Sequence, residues 1–262
     1  MDPTSFNRCN LPPWVVASRQ FDEEPRPLEI QGVRTENAGL FRALDALEDP
    51  DARARVFDDW LSVRFQLHHW QDQATLPARR SLKNSYLRFL RGWGMDANSV
   101  EGAVLKGWVE SRIGIPPTFH HEPLRGDGDA WARYAADRTR GHAYTSAIDA
   151  QLDVVYTFTQ YELARRHPRE RWLTLWRGQN DLDGHEIVER LGPREWIVRM
   201  NNLASFTDDR ERAWEFGSVV LEARLAIPRV FFAGHLLPRS ILRGEREHLV
   251  IGGDLRVRRI LA

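Results

Sequence analysis

The chain has 262 residues, of which 42% are hydrophobic and 10% are aromatic, a composition typical of a globular protein with a sizeable core. Its 37 basic and 37 acidic side chains cancel, which excludes a general nucleic-acid binder, because such proteins bind through excess positive charge. Cys9 is the single cysteine, so no internal disulfide can form, and no apolar run approaches the roughly 18 residues of a membrane span. The N-terminal stretch lacks the pattern of a signal peptide, and we therefore expect a cytoplasmic protein without a membrane span.

The first half of the chain has helical periodicity from Glu36 to about Arg112. Apolar residues recur there at intervals of three and four: Leu40, Leu44 and Leu47, then Val56, Trp60, Val63 and Leu67. The stretch LRFLRGWG predicts a helix end at Gly92 or Gly94. A further helix is predicted to start with Asp129 as its N-cap, and another to span Ala147 to Arg166.

After Pro168 the pattern changes to short segments rich in β-branched and aromatic residues, which predicts strands. The segments are RWLTLWRG, EWIVRMNNLASFT, SVVLEARLAI, RVFFAG, EHLVIGG and LRVRRIL. A short helix from Asp209 to Phe216 interrupts them. The sequence thus predicts an α+β protein, with a mostly helical region at 1–125 and a second region at 126–262.

Two strand ends carry residues that suit a ligand site. Arg177 ends the LWRG strand, where a guanidinium can bind a phosphate or carboxylate, and Gly178 lets a ligand approach the backbone. The alternative for this pair is a surface ion pair followed by a turn. Ser205, Phe206 and Thr207 end the next predicted strand, although serine and threonine are also ordinary residues at the start of a helix.

A third strand begins with two carboxylates, Glu245 and Glu247, which lie two residues apart and so face the same side. Two neighbouring carboxylates repel each other, and their burial is costly. The simplest interpretation is an exposed acidic strand end. A functional interpretation requires each carboxylate to meet a different positive charge.

An arginine, a Ser-x-Thr sequence and a Glu-x-Glu sequence, in this order and on separate strands, resemble the signature of mono-ADP-ribosyltransferases. The stretches NRCNLPPWVVASRQFD and LWRGQNDLDGHEI further resemble the dinitrogenase reductase ADP-ribosyltransferases of nitrogen-fixing bacteria, over most of the chain. The resemblance implies a β-sandwich-like core in 126–262 that binds NAD⁺ without a glycine-rich Rossmann motif. It also implies transfer of ADP-ribose to an arginine of the nitrogenase iron protein, which switches nitrogen fixation off, and control by a PII-type nitrogen signalling protein.

The resemblance also assigns roles to residues. Glu247 stabilises the ribosyl cation, Glu245 orients and deprotonates the acceptor arginine, and Ser205 donates a hydrogen bond to Glu247. The implied NAD⁺ contacts are Arg177, Gly178, Ser205, Phe206, Thr207, Phe216 and Glu247. Phe216 either stacks on nicotinamide or belongs to the core, and Phe206 departs from the threonine or serine of many relatives.

Two other classes of function remain open: an NAD⁺ glycohydrolase, in which water replaces the protein acceptor, and an inactive binding module of the same fold. No metal is expected, because the pairs His68-His69 and His120-His121 lack the spacing of a recognised metal site.

Overall fold

The structure is a computed structural model that describes residues 7–67, 85–126, 128–143, 147–180, 186–237 and 246–261. His68-His69 and Glu245 lie outside these residues. The helices are α1 (Pro13–Ala17), α2 (Gln20–Glu23), α3 (Val33–Glu36), α4 (Ala38–Asp45), α5 (Pro50–Arg64), α6 (Tyr86–Met95), α7 (Val100–Arg112), α8 (Asp129–His142), α9 (Ile148–Arg166) and α10 (Arg210–Ala213). Within the described ranges, no helix combines the length and apolar composition that crossing a bilayer requires.

The predicted helices are confirmed within the described residues, with small shifts at their ends, and residues 68–84 of the predicted helical region lie outside that description. α9 begins one residue after the predicted start at Ala147, which has a left-handed backbone with φ 62°. Asp129 is the first residue of α8 rather than its N-cap, which is Gly128. α6 continues through the two glycines at which the sequence predicted its end and stops at Met95.

The buried face of α5 differs from the predicted one. Phe57 and Leu61 are buried, and the ring of Phe57 stacks on Phe158 with ring centroids 3.9 Å apart, whereas Val63 is 66% exposed. The helix is oriented this way because Arg53 is also buried and pairs with the buried Glu162 of α9. The spacing of apolar residues alone cannot predict a buried helix face that includes an arginine paired with a glutamate.

The strands are β1 (Phe119–His120), β2 (Glu122–Pro123), β3 (Trp172–Gln179), β4 (Glu186–Gly192), β5 (Glu195–Thr207), β6 (Val219–Ala226), β7 (Val230–Ala233) and β8 (Glu247–Ile260). The prediction omitted β1, β2 and β4 and divided β8 into two strands at Gly252-Gly253. β8 is continuous, because these glycines serve close packing rather than a turn. A Cβ on Gly252 would clash with the carbonyl oxygen of Asn201, and Gly253 has φ 128°.

Four strands form a closed ring by antiparallel pairing, in the order β3, β6, β8, β5 and back to β3. β4 and β7 extend the ring at β5 and β8. The interior is filled by one cluster of buried apolar side chains: Leu175, Trp196, Val198, Met200, Ala204, Phe206, Val219, Leu221, Ala223, Leu225, Val250, Leu255 and Val257. This arrangement of helices and antiparallel strands confirms the α+β class.

The outer face of β5 and β8 packs against the helices. Leu203, Leu249 and Ile251 belong to the same cluster of buried residues as Trp108 of α7 and Phe158 of α9. This cluster contains residues from both sides of position 125. The helices therefore pack against the outer face of β5 and β8 and support these two strands. The division of the chain into regions at 125 stays a prediction.

Candidate active site

Arg177 lies where β3 and β5 separate. Within the described residues these strands pair at one position, Trp176 opposite Thr207. The next residue, Arg177, bridges them instead, because its Nη1 donates a hydrogen bond to the carbonyl oxygen of Ser205 at 2.8 Å. Its Nε is buried and has no hydrogen-bond partner among the described residues. A buried donor of this kind can bind an incoming acceptor such as a phosphate or an amide oxygen.

Glu247 is the first residue of β8 and is 7% exposed. It stands opposite Thr207 in the β5–β8 ladder, so the ends of the predicted Ser-x-Thr and Glu-x-Glu strands meet. Burial lowers the pKa of Arg177, and the nearby negative charge of Glu247 opposes that effect. The predicted anion-binding arginine and the predicted catalytic carboxylate are therefore electrostatic neighbours.

Ser205 stands opposite Leu249 on β8, so it is the diagonal neighbour of Glu247 on the same face of the sheet. Its Oγ accepts a hydrogen bond from Nε1 of Trp93 at 2.9 Å. A hydroxyl that accepts one bond keeps its own proton, which it can donate to a carboxylate. The structure thus supplies a partner for Ser205 that the sequence did not indicate.

Gly178 and Phe216 are adjacent. A Cβ on Gly178 would clash with the carbonyl oxygen of Ala213 and would come 3.1 Å from Cβ of Phe216. Glycine is therefore required for the packing of β3 against α10 and the turn after it. Phe216 is 52% exposed, which removes the alternative that it is a core residue and leaves its ring accessible beside Gly178.

The remaining residues of the Ser-x-Thr motif are buried. Phe206 is 3% exposed and its side chain belongs to the core inside the strand ring, away from Thr207 on the opposite face. Thr207 is 5% exposed, and its Oγ1 accepts a hydrogen bond from the backbone N–H of Asp209 at 3.2 Å. Asp209, predicted as the first residue of this helix, is in turn the N-cap of α10. The side chains of Phe206 and Thr207 thus have structural partners.

Comparison with known proteins extends the similarity beyond these motifs. A family model described as "Dinitrogenase reductase ADP-ribosyltransferase (DRAT)" matches residues 6–259. The chain belongs to this family. It is 41% identical over 260 residues to the protein named "NAD(+)--dinitrogen-reductase ADP-D-ribosyltransferase" from Rhodospirillum rubrum, covering 97% of this chain and 94% of that protein. No solved structure matches the chain.

Membership of the dinitrogenase reductase ADP-ribosyltransferase family confirms the resemblance seen in the sequence. The residue that sequence reasoning missed is Trp93 of α6, 112 positions before Ser205. The signal in the sequence was its spacing of four and three residues from Phe89 and Leu90, which predicts a buried indole whose N–H needs an acceptor. The identity of that acceptor depends on the packing of α6 against β5.

Proposed function

We propose that this protein transfers ADP-ribose from NAD⁺ to an arginine of dinitrogenase reductase, the iron protein of nitrogenase, and so inactivates it. The single observation that supports this most is the convergence of Arg177, Ser205 and Glu247 where β3, β5 and β8 end. The name of the R. rubrum relative supplies the donor and the acceptor protein. The resemblance of the Glu-x-Glu sequence to that of arginine-specific relatives supports arginine as the acceptor side chain.

Glu247 is proposed to stabilise the transition state of nicotinamide release. Cleavage of the bond between nicotinamide and ribose leaves positive charge on the ribosyl carbon. A carboxylate about 4 Å away, at an effective dielectric near 20, attracts that charge by about 4 kcal/mol. This corresponds to a rate enhancement of about a thousandfold. Burial of Glu247 supports the role, because a buried carboxylate is less screened than an exposed one.

Arg177 and Phe216 are proposed to hold NAD⁺. Nε of Arg177, which has no partner in the part of the chain that the structure describes, offers a charged donor to the phosphate side of the dinucleotide. The exposed ring of Phe216 lies beside Gly178, where nicotinamide can stack on it. Both residues lie near the end of β3, and NAD⁺ is proposed to contact both.

Glu245 is proposed to align the acceptor. An arginine guanidinium stays protonated at physiological pH and is a poor nucleophile, so a second carboxylate is needed to orient it and accept its proton. The spacing of Glu245 from Glu247 motivates this role. The protein is further proposed to work in the cytoplasm under control of a PII-type nitrogen signalling protein, as the family resemblance implies.

The test uses purified protein and NAD⁺ labelled on the adenine side, with and without purified dinitrogenase reductase. Label on dinitrogenase reductase that hydroxylamine releases at the rate typical of arginine linkages would support the proposal. Free ADP-ribose as the main product would favour the glycohydrolase, and no turnover would favour the binding module. Addition of a PII protein to the same reaction tests regulation separately.

A further inference from the structure

Three potential metal ligands meet beside the candidate active site. Asp208 follows β5, His235 lies in the short 3-10 helix Gly234–Leu236 after β7, and His248 is the second residue of β8. One carboxylate oxygen and one ring nitrogen from each histidine all lie within 4.8 Å of one another. None of these residues has a role in the proposed transfer reaction.

We propose that Asp208, His235 and His248 bind a divalent cation of the zinc class. Two imidazole nitrogens and one carboxylate oxygen are a donor set that zinc prefers, whereas magnesium and calcium prefer oxygen alone. Tetrahedral zinc has ligand bonds of about 2.0–2.2 Å, so its donor atoms stand roughly 3.4 Å apart. Side-chain movements of about an ångström would bring the three donors to that separation, and water would complete the coordination.

A hydrogen bond to the backbone orients the ring of His248 for metal binding. Its Nδ1 lies 3.1 Å from the carbonyl oxygen of Arg246. Because a carbonyl only accepts, Nδ1 carries the proton and Nε2 keeps a free lone pair. Metal-binding histidines are commonly oriented by such a bond from their other nitrogen.

The guanidinium of Arg246 would compete with a bound cation for the carboxylate of Asp208. Its Nε donates to Oδ1 of Asp208 at 2.6 Å, and its Nη1 lies 3.5 Å from Oδ2 of Asp209. The Arg246 side chain is 53% exposed, so its guanidinium can turn into solvent at little cost when a cation takes the carboxylate. The bound ion would join the ends of β5, β7 and β8, and we expect it to stabilise that part of the fold.

A second cluster of similar composition serves as a control. His120, His121 and Asp137 also offer atoms within 4.8 Å of one another. Both ring nitrogens of His120 are engaged, however, with Nδ1 3.3 Å from Nζ of Lys106 and Nε2 3.3 Å from Asp137. The ammonium of Lys106 repels a metal cation, so we expect this second cluster not to bind a metal ion.

The experiment uses the untagged full-length chain without NAD⁺, so it does not depend on the proposed transfer reaction. Equilibrium dialysis with Zn²⁺ should give one ion per chain, and Co²⁺ should give the intense visible absorption of a tetrahedral site. Asp208→Asn and His235→Gln should each weaken Zn²⁺ affinity by about tenfold or more. Arg246→Met should strengthen it, and His121→Gln should leave it unchanged.

Circular dichroism and metal-free melting temperatures would establish that the variants are folded. His248 is left intact because its 2% exposure makes a folding defect hard to separate from a lost ligand. The increase in affinity expected for Arg246→Met cannot arise from misfolding. The proposal is overturned if the parent chain binds no stoichiometric Zn²⁺, or if Asp208→Asn and His235→Gln bind it as tightly as the parent does.

Discussion

Nε1 of Trp93 donates a hydrogen bond to Oγ of Ser205 at 2.9 Å, and this bond joins the helical part of the chain to the candidate active site. Trp93 is 4% exposed on α6, whereas Ser205 lies near the end of β5. The bond fixes which way the serine hydroxyl can point, because the occupied lone pair leaves the proton for a different partner. Trp93 is thus a positioning residue for Ser205 in the proposed reaction.

Replacement of Trp93 by phenylalanine removes the N–H and keeps an aromatic ring. A hydrogen bond of this kind contributes about 0.5–1.5 kcal/mol. We therefore expect Trp93→Phe to lower kcat by roughly twofold to tenfold, with KM for NAD⁺ nearly unchanged. Initial rates of ADP-ribose transfer at varied NAD⁺ measure both constants.

Trp108→Phe is the matched control for that change. Trp108 is also buried, and its Nε1 donates to Oδ1 of Asp153 at 2.7 Å, within the helical part of the structure. This variant should lose stability without a selective loss of kcat at temperatures where it is folded. Equal losses of kcat in both variants would show that Trp93 acts through general stability alone.

Glu247→Gln should abolish transfer and NAD⁺ hydrolysis together, because both reactions pass through the same ribosyl cation. The swap keeps the shape of the side chain and removes its charge, so the expected loss is about a thousandfold, with NAD⁺ binding largely retained. Glu195→Gln, at the opposite end of β5, is the control and should keep parental activity. A Glu247→Gln rate within about tenfold of the parent would contradict the assignment.

Glu245→Gln should separate the two reactions. Glu247 remains to stabilise the cation, so NAD⁺ still cleaves, but the group that aligns the acceptor guanidinium is gone. Water is small and needs less positioning, so the variant should become a slow NAD⁺ glycohydrolase. Arginine-linked label and free nicotinamide are measured in one reaction. A parallel fall of both products would mean that the two glutamates act as a single unit.

Arg177→Ala should weaken NAD⁺ binding more than it slows chemistry. A charged, forked contact contributes on the order of 2–3 kcal/mol, so Kd should rise about 30- to 150-fold. Calorimetric titration with NAD⁺ measures the change. Arg224→Ala is the control, because Arg224 stacks on the ring of Trp172 at 3.8 Å and has no predicted ligand role. Unchanged NAD⁺ affinity in Arg177→Ala would make Arg177 a purely structural bridge to Ser205.

His120 should make the protein sensitive to acid. Burial and the charge of Lys106 lower its pKa to about 4, although the carboxylate of Asp137 opposes this. Between that value and about 6.5 the unfolded chain binds a proton that the folded chain does not, so the free energy of unfolding falls as pH drops through this window. Through His120, the free energy of unfolding falls by at most on the order of 3 kcal/mol across this window.

Urea unfolding across pH 4–7 tests this effect of His120. His120→Gln should flatten the acid dependence relative to the parent, even if it lowers stability at neutral pH. His121→Gln, at the exposed neighbour, removes only a minor contribution to the lowered His120 pKa and should retain most of the parental slope. Identical slopes in the parent and His120→Gln would mean that other groups cause the acid sensitivity.

Local sequence patterns determined the elements that carry the candidate site. Short segments rich in β-branched and aromatic residues predicted β3, β5 and β6, and Asp209 was predicted at the start of the helix that it caps. The ordered motifs at Arg177, Ser205 and Glu247 indicated the family. These features were predictable because strand composition and helix capping depend on residues only a few positions apart.

Contacts between distant parts of the chain decided the rest. The Trp93–Ser205 hydrogen bond, the Arg177 bridge and the cluster of Asp208, His235 and His248 each join elements far apart in sequence. No local pattern predicts them, because each depends on the order in which strands pair and on which helix packs behind them. The continuity of β8 has the same origin, since its glycines are required by a neighbouring strand and by α1. The sequence by itself thus determined which residue types were available for chemistry, and the tertiary structure decided which of them meet.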